Sequence, residues 1–397
     1  MELTARRAAR IDLTGRRAVL IGLPVAALLT LATSPGLDAW LPFNPAARGA
    51  DIEAWWYYAR QLFGGGAFAP YDGTLPFFHM APFVVVLAPF AALDLETARH
   101  AARAVTALLL VTVVVGWARH AAGGRMPAGA WLLCFSVPVV SAVYIGQVPS
   151  SFGLLALSVA IWAQRRDAWW LVGVAAALGT IRSANALPVV AILALAGWGR
   201  WRELATAAVA GALSLLPVVA LATLRDPTWP TEFQAAVGAY GYGLPSMLSR
   251  VVGPSALLLL QALSVMLALA WLRRSRGGPL DLDRSAAVMA MSVLAAPLTA
   301  AYAANFLLPG LIRLGSRRGM QALLPVVTVL PWLVAWPLWS TLGPDALVPA
   351  LEAALVLATL PLLLVRPRGQ AALVPAGGPP APAADAPAAS AGGAPRG

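Results

Sequence analysis

Asp51 opens the run Asp51-Ile52-Glu53-Ala54-Trp55-Trp56-Tyr57-Tyr58, the segment of the 397-residue chain richest in groups that could do chemistry. From Ile52 to Phe63 the apolar Ile52, Trp55, Trp56, Ala59, Leu62 and Phe63 share one helical face, while Glu53, Tyr57, Arg60 and Gln61 share the other. Adjacent Trp and Tyr pairs suit an interfacial helix beside a bilayer, since their rings are apolar with one polar tip. A carboxylate directly before such a helix is either an N-cap, accepting backbone N–H bonds, or a general base at the mouth of an interfacial cleft. The spacing leaves both open.

Arg182 ends one short apolar run and precedes another, with Asn185 and Pro188 beyond it. An arginine there is either a snorkelling side chain at a helix end or a clamp for a lipid phosphate, which its forked donors suit. Arg99 and Arg103 stand four residues apart behind Asp94 and Glu96. Arg99 reads as part of an ion-paired helix start, and Arg103 lies deeper, where it could face a cavity. His79 sits among aromatics in Pro76-Phe77-Phe78-His79-Met80-Ala81-Pro82. With only three histidines, His79, His100 and His120, a multi-histidine metal site is not expected, and no metal is required. Asp281-Leu282-Asp283 has the spacing of a metal-nucleotide motif, but in a short loop with no surrounding domain it reads as a helix cap. Gly238, Gly241 and Gly243 follow no strand and make no phosphate-binding fingerprint.

The elements that must position these residues are transmembrane. The chain is 59% hydrophobic and 11% charged, with a mean hydropathy of +0.74. A soluble domain carries about 25% charged residues. This composition excludes a soluble enzyme, a disulfide scaffold and a β-barrel, and defines an all-α polytopic membrane protein. The one cysteine, Cys134, lies inside an apolar run and can form no internal disulfide. All 28 basic residues are arginines, set in pairs and triplets at the ends of apolar segments. They form no stripe interleaved with aromatics, so nucleic acid is not an expected partner.

Thirteen apolar segments can be delimited, at 18–34, 80–93, 97–118, 128–145, 151–164, 168–181, 184–198, 204–224, 255–272, 286–299, 302–313, 320–339 and 348–365. If 80–93 does not cross, 21 of the 28 arginines fall on one side, which the positive-inside rule makes cytoplasmic. That segment is also short and holds Pro82 and Pro89, so it is expected to be re-entrant or interfacial. The expected organisation is a cytoplasmic lead-in over 1–17, a domain of about 12 spans over 18–366, and a disordered Ala/Pro/Gly-rich cytoplasmic tail over 367–397. The large outer loops are 35–79 and 225–254, and the domain sits in the inner or plasma membrane with its site on the extracytoplasmic side.

The run DIEAWWYYARQLFGGGAFAPYD, followed by FFHMAPFVVVLAPFAAL, resembles the opening of glycosyltransferase family 87, integral membrane enzymes of the GT-C fold related to mannosyltransferases that use polyprenyl-phosphate mannose. VYIGQV (Tyr144, Gly146, Gln147), Arg182 before Pro188 and AAPLTAAYAANFLLPG at 295–310 extend the resemblance over about 50–310. The chain departs from the family's pattern at Pro149, at Ala81-Pro82, and at Leu298, Ala301 and Ala303.

The resemblance implies a GT-C-like bundle and the transfer of a mannose-like hexose from a polyprenyl-phosphate donor to a lipid or glycan acceptor. On this reading Asp51 is the catalytic base, Arg182 and Arg103 hold the donor phosphate, and Tyr57, His79 and Gln147 contact substrate. No cofactor is expected beyond the lipid-linked donor; membrane lipids are the remaining partners. The chain has no extramembrane segment large enough for a nucleotide-sugar domain, so a lipid-borne donor fits its architecture. A multi-span transporter or lipid flippase has the same composition; against it, no matched pair of broken segments recurs in two halves.

Overall fold

The computed structural model describes residues 10–12, 15–38, 41, 43, 48–64, 66–71, 80–121, 125–180, 186–239, 266, 280–295, 301–317 and 320–342. The expected span 255–272 apart from Met266, the span 348–365, the tail 367–397, and the candidates His79 and Arg182 lie outside the described residues. All the described residues belong to one unit, Met1–Leu364.

The described residues are helical apart from two three-residue strands, β1 (Arg10–Asp12) and β2 (Arg125–Pro127), which pair antiparallel. The helices in chain order are α1 (Gly15–Ala32), α2 (Ala50–Gly64), α3 (Pro82–Val86), α4 (Ala88–Ala91), α5 (Leu95–Ala121), α6 (Val137–Ile145), α7 (Val148–Gln164), α8 (Trp169–Thr180), α9 (Ala186–Ala196) and α10 (Trp201–Arg225). They are followed by α11 (Trp229–Ala239), α12 (Leu282–Ala295), α13 (Leu308–Gly315) and α14 (Leu323–Leu342).

Among the described residues, α5 and α10 are each long and apolar enough to cross a membrane alone. The 27-residue α5 runs through the core, where the Trp117 indole N–H donates to Ser158 Oγ of α7 at 2.9 Å. Helix α10 instead leaves Leu213 64% and Leu224 81% exposed. So many bare leucines on one helix mark a face meant for lipid. Its inner face packs on α8 through glycine: a Cβ on Gly173 would fall 1.8 Å from the Ala207 carbonyl oxygen. Small residues let helix backbones approach this closely inside membranes.

Segment 80–93 folds as α3 and α4, five and four residues long. At 1.5 Å rise per residue these span only about 7.5 and 6 Å, so neither crosses a bilayer. Both lie against α2, and the Trp56 indole N–H holds the Leu93 carbonyl at 2.8 Å.

Two expected spans are broken. Segment 128–145 divides into a 3-10 stretch, Ala128–Phe135, and α6; segment 302–313 divides into a 3-10 stretch, Ala301–Leu307, and α13. Proline explains both. Pro138 and Pro309 stand in the first turns of α6 and α13, where a missing N–H is tolerated. A helix continued backward would drive their rings into the carbonyls of Cys134 and Asn305. The breaks meet, since the Asn305 side-chain amide donates to the Pro138 carbonyl at 3.2 Å.

The arginine-bearing turns are tied together at one end of the bundle. Arg200 pairs with Asp167 at 2.7 Å, Leu280 N–H donates to Gln164 at 2.9 Å, and Asp283 pairs with Arg313 at 2.5 Å and Arg317 at 3.2 Å. Asp281 caps α12, accepting from the Asp283 and Arg284 backbone N–H groups at 2.9 and 3.0 Å. Helices α5 and α6 pack against α2, where the candidate residues lie, and Gln147 at the start of α7 and Arg225 at the end of α10 reach it by hydrogen bonds.

Candidate active site

The junction of α6 and α7 is built by local backbone chemistry. Gly146 adopts φ +77°, ψ +39°, and its N–H reaches Val143 O at 3.1 Å while the Gln147 N–H reaches Ala142 O at 2.9 Å. These paired bonds close α6 as a Schellman motif, which needs a residue that accepts the left-handed region. Gln147, at φ −73°, ψ +62°, centres an inverse γ-turn closed by Val148 N–H to Gly146 O at 2.8 Å. Helix α7 then starts with Val148-Pro149, so Pro149 occupies a position where it loses no hydrogen bond.

Against this junction lies the start of α2. Gly49, at φ +66°, donates its N–H to the Tyr144 carbonyl at 3.0 Å. A Cβ on Gly49 would meet Arg99 Cγ at 2.9 Å, and one on Gly146 would stand 3.8 Å from Gly49 Cα. Two glycines thus let the backbones approach closely enough for the Gln147 side-chain amide to donate to Asp51 Oδ2. Gln147 is buried, and its Oε1 accepts from Ser150 Oγ at 3.2 Å.

Helix α2 begins at Ala50, two residues before the expected start at Ile52. Asp51 is therefore not an N-cap but a first-turn carboxylate, favoured there by the helix dipole, and the amino end of α7 approaches it as well. The buried stripe of α2 is Ile52, Trp55, Tyr58, Ala59 and Leu62. Tyr58, outside the expected apolar face, is buried because it lies three residues from Trp55 and four from Leu62; Phe63, at the stripe's edge, is 50% exposed. The stripe packs on protein, with Trp55 edge-on to Phe83 of α3 at 5.9 Å. Tyr57 is half-buried and meets Tyr58 edge-on at 5.2 Å.

Beside Asp51 lies a cationic cluster. Arg103, 1% exposed, donates to the Thr33 carbonyl. Arg48 pairs with the buried Asp38, and its guanidinium stands 6.0 Å from the centre of the Tyr144 ring. The Arg48 and Arg103 guanidinium groups stand close enough to repel one another, a repulsion that an added anion would relieve. Arg99 pairs outside it with Glu53 at 2.9 Å and Glu96 at 3.3 Å. Neither Arg48 nor Asp38 is marked by the sequence, since both sit in a stretch without periodicity; the one hint is Arg48-Gly49 just before Asp51.

The segments that follow α2 and α10 also meet. Arg225 donates to the Leu62 carbonyl at 2.6 and 3.0 Å, and Tyr71 lies 6.1 Å from Phe233 of α11. Burial pushes the Tyr71 hydroxyl well above the usual phenol range, so it stays a proton donor. At the start of α5, hydrogen bonds from the Thr97 hydroxyl and backbone hold the Asp94 carboxyl below the usual carboxylate range. Among the described residues no group of His, Cys, Asp and Glu could hold a metal ion.

An apolar helical bundle with bare leucine faces, carrying a carboxylate, an amide and guanidinium groups together at one end, is a membrane protein with a polar site. A model of glycosyltransferase family 87 matches residues 77–300, more than half of the chain, and the chain belongs to that family. It is a membrane glycosyltransferase, acting on a sugar donor and an acceptor. No curated protein and no solved structure matches it. The matched region includes Arg103, Gln147 and Arg182 and begins after Asp51.

Proposed function

We propose that the protein transfers a mannose-like hexose from a polyprenyl-phosphate donor to a lipid or glycan acceptor at the outer face of the cell membrane, with Asp51 as general base. The observation that carries this reading is the meeting of Asp51 with the Gln147 amide beside the Arg48–Arg103 cluster. In the reaction the Asp51 carboxylate takes the acceptor hydroxyl proton, and the acceptor oxygen bonds to sugar C1. The bond from C1 to the phosphate oxygen breaks, and polyprenyl phosphate leaves with the electron pair. Arg103, with Arg182, balances the charge on that phosphate. Phosphate departs without a general acid, so one base and fixed cations suffice. Tyr57 and His79 contact substrate at the mouth of the site. Both termini are cytoplasmic, a sidedness supported by the clustering of arginine-bearing turns at the end opposite Asp51.

Asp51→Asn tests the reading. Asparagine keeps an oxygen to accept from Gln147 but cannot take a proton at neutral pH. Assayed in membranes with radiolabelled polyprenyl-phosphate mannose, turnover should fall by about 10²–10⁴-fold with thermal stability little changed. Wild-type turnover in this variant would remove Asp51 from the chemistry.

A further inference from the structure

We infer that Gln147 is a positioning residue: it holds the Asp51 carboxylate in its reactive orientation and is itself held by Ser150. The inference rests on Asp51 being the base. An ionised carboxylate offers only acceptors, so the Gln147 group facing Asp51 must be the amide NH₂. That leaves the carbonyl Oε1 on the other side, where Ser150 Oγ donates to it at 3.2 Å. The carboxylate thereby fixes which way round the amide stands, and the serine hydroxyl, able to donate or accept, donates to the oxygen left over.

The backbone restricts the side chain further. Gln147 sits at the centre of the γ-turn, between the left-handed Gly146 and the first turn of α7, so its Cα is fixed from both sides. The side chain is buried, and its carbonyl and amino ends already serve Ser150 and Asp51. Its arrangement suits orienting a base rather than gripping a sugar. A carboxylate side chain at the start of α2 has two rotatable bonds, and a hydrogen bond to one of its oxygens narrows how the other is presented. General-base catalysis depends on such alignment, because the proton must pass within hydrogen-bond reach.

A double-mutant cycle tests this, using the full-length protein in membranes and polyprenyl-phosphate mannose. Gln147→Leu keeps the bulk and removes both polar ends. Its kcat should fall about 10- to 100-fold, with KM for donor and acceptor unchanged. Placed on Asp51→Asn, the same change should add less than twofold, because Gln147 acts through the carboxylate already removed. Ser150→Ala, which leaves Gln147 in place, should lower kcat by a few-fold and also lose its effect on Asp51→Asn. It serves as the test should Gln147→Leu not fold, as judged by melting temperature in detergent. A rise in KM, or full loss on top of Asp51→Asn, would overturn the assignment and make Gln147 a substrate contact or a structural residue. The single Asp51→Asn variant reports separately on the base itself.

Discussion

Arg103 shows how little a residue's identity says without its surroundings. Its guanidinium is buried on α5, and among the described residues its hydrogen bond goes to a carbonyl, Thr33 O, rather than to a carboxylate. A buried cation so served costs stability, and replacing it with an apolar side chain of similar length is often neutral. If it balances the leaving phosphate, Arg103→Met should leave the melting temperature nearly unchanged. Transfer should fall about 10- to over 100-fold, the equivalent of a charged hydrogen bond worth about 1.5–3 kcal/mol. Steady-state kinetics beside a thermal melt would separate these effects, and equal losses in both would make Arg103 a structural strut. The sequence marks Asp51 and Arg103 because each borders or interrupts an apolar pattern, and Gln147 only through the family resemblance. It gives no sign of Ser150 or of the Asp38–Arg48 pair, whose meaning depends on contacts across long stretches of chain.

At the scale of elements, the α6–α7 junction carries the site. Gly146→Ala would force a side chain into the left-handed region at φ +77°, costing about 1–2 kcal/mol, and would press its Cβ to 3.4 Å from that of Ala102. We expect a melting temperature lowered by several degrees and transfer reduced more than tenfold, since the turn that aims Gln147 would shift. Unchanged transfer at a lowered melting temperature would mean that the turn serves the fold alone. Hydropathy reports burial and length, so the division of 80–93 into two short helices was legible in its brevity and two prolines. The breaks at Pro138 and Pro309 were not, because apolarity continues across them while the backbone changes from 3-10 to α. Nor did the helical pattern fix where α2 begins. A left-handed glycine at 49, not a capping side chain, precedes that start.

At the scale of the molecule, among the described residues, α7 carries the Asp51 contact at its amino end and the contacts of Gln164 and Arg165 to Leu280 at its carboxyl end. On a background with Cys134 replaced, cysteines at the exposed Ala67 and Arg166 should react with a membrane-impermeant thiol reagent from opposite sides, Ala67→Cys from outside and Arg166→Cys from the cytoplasm. Labelling of both from one side would overturn the topology. The Asp51–Gln147 contact joins positions 96 residues apart, with α5 and the 3-10 stretch between them. During synthesis Asp51 therefore emerges well before its partner exists, and the intervening segments must be inserted before the two can meet. On the proposed roles, a chain interrupted before Gln147 lacks the contact that orients the base, and one interrupted before Arg182 still lacks a cation for the leaving phosphate. The order of synthesis thus brings the base first and the means of using it last, so that transfer by this site begins only after α8 has been made.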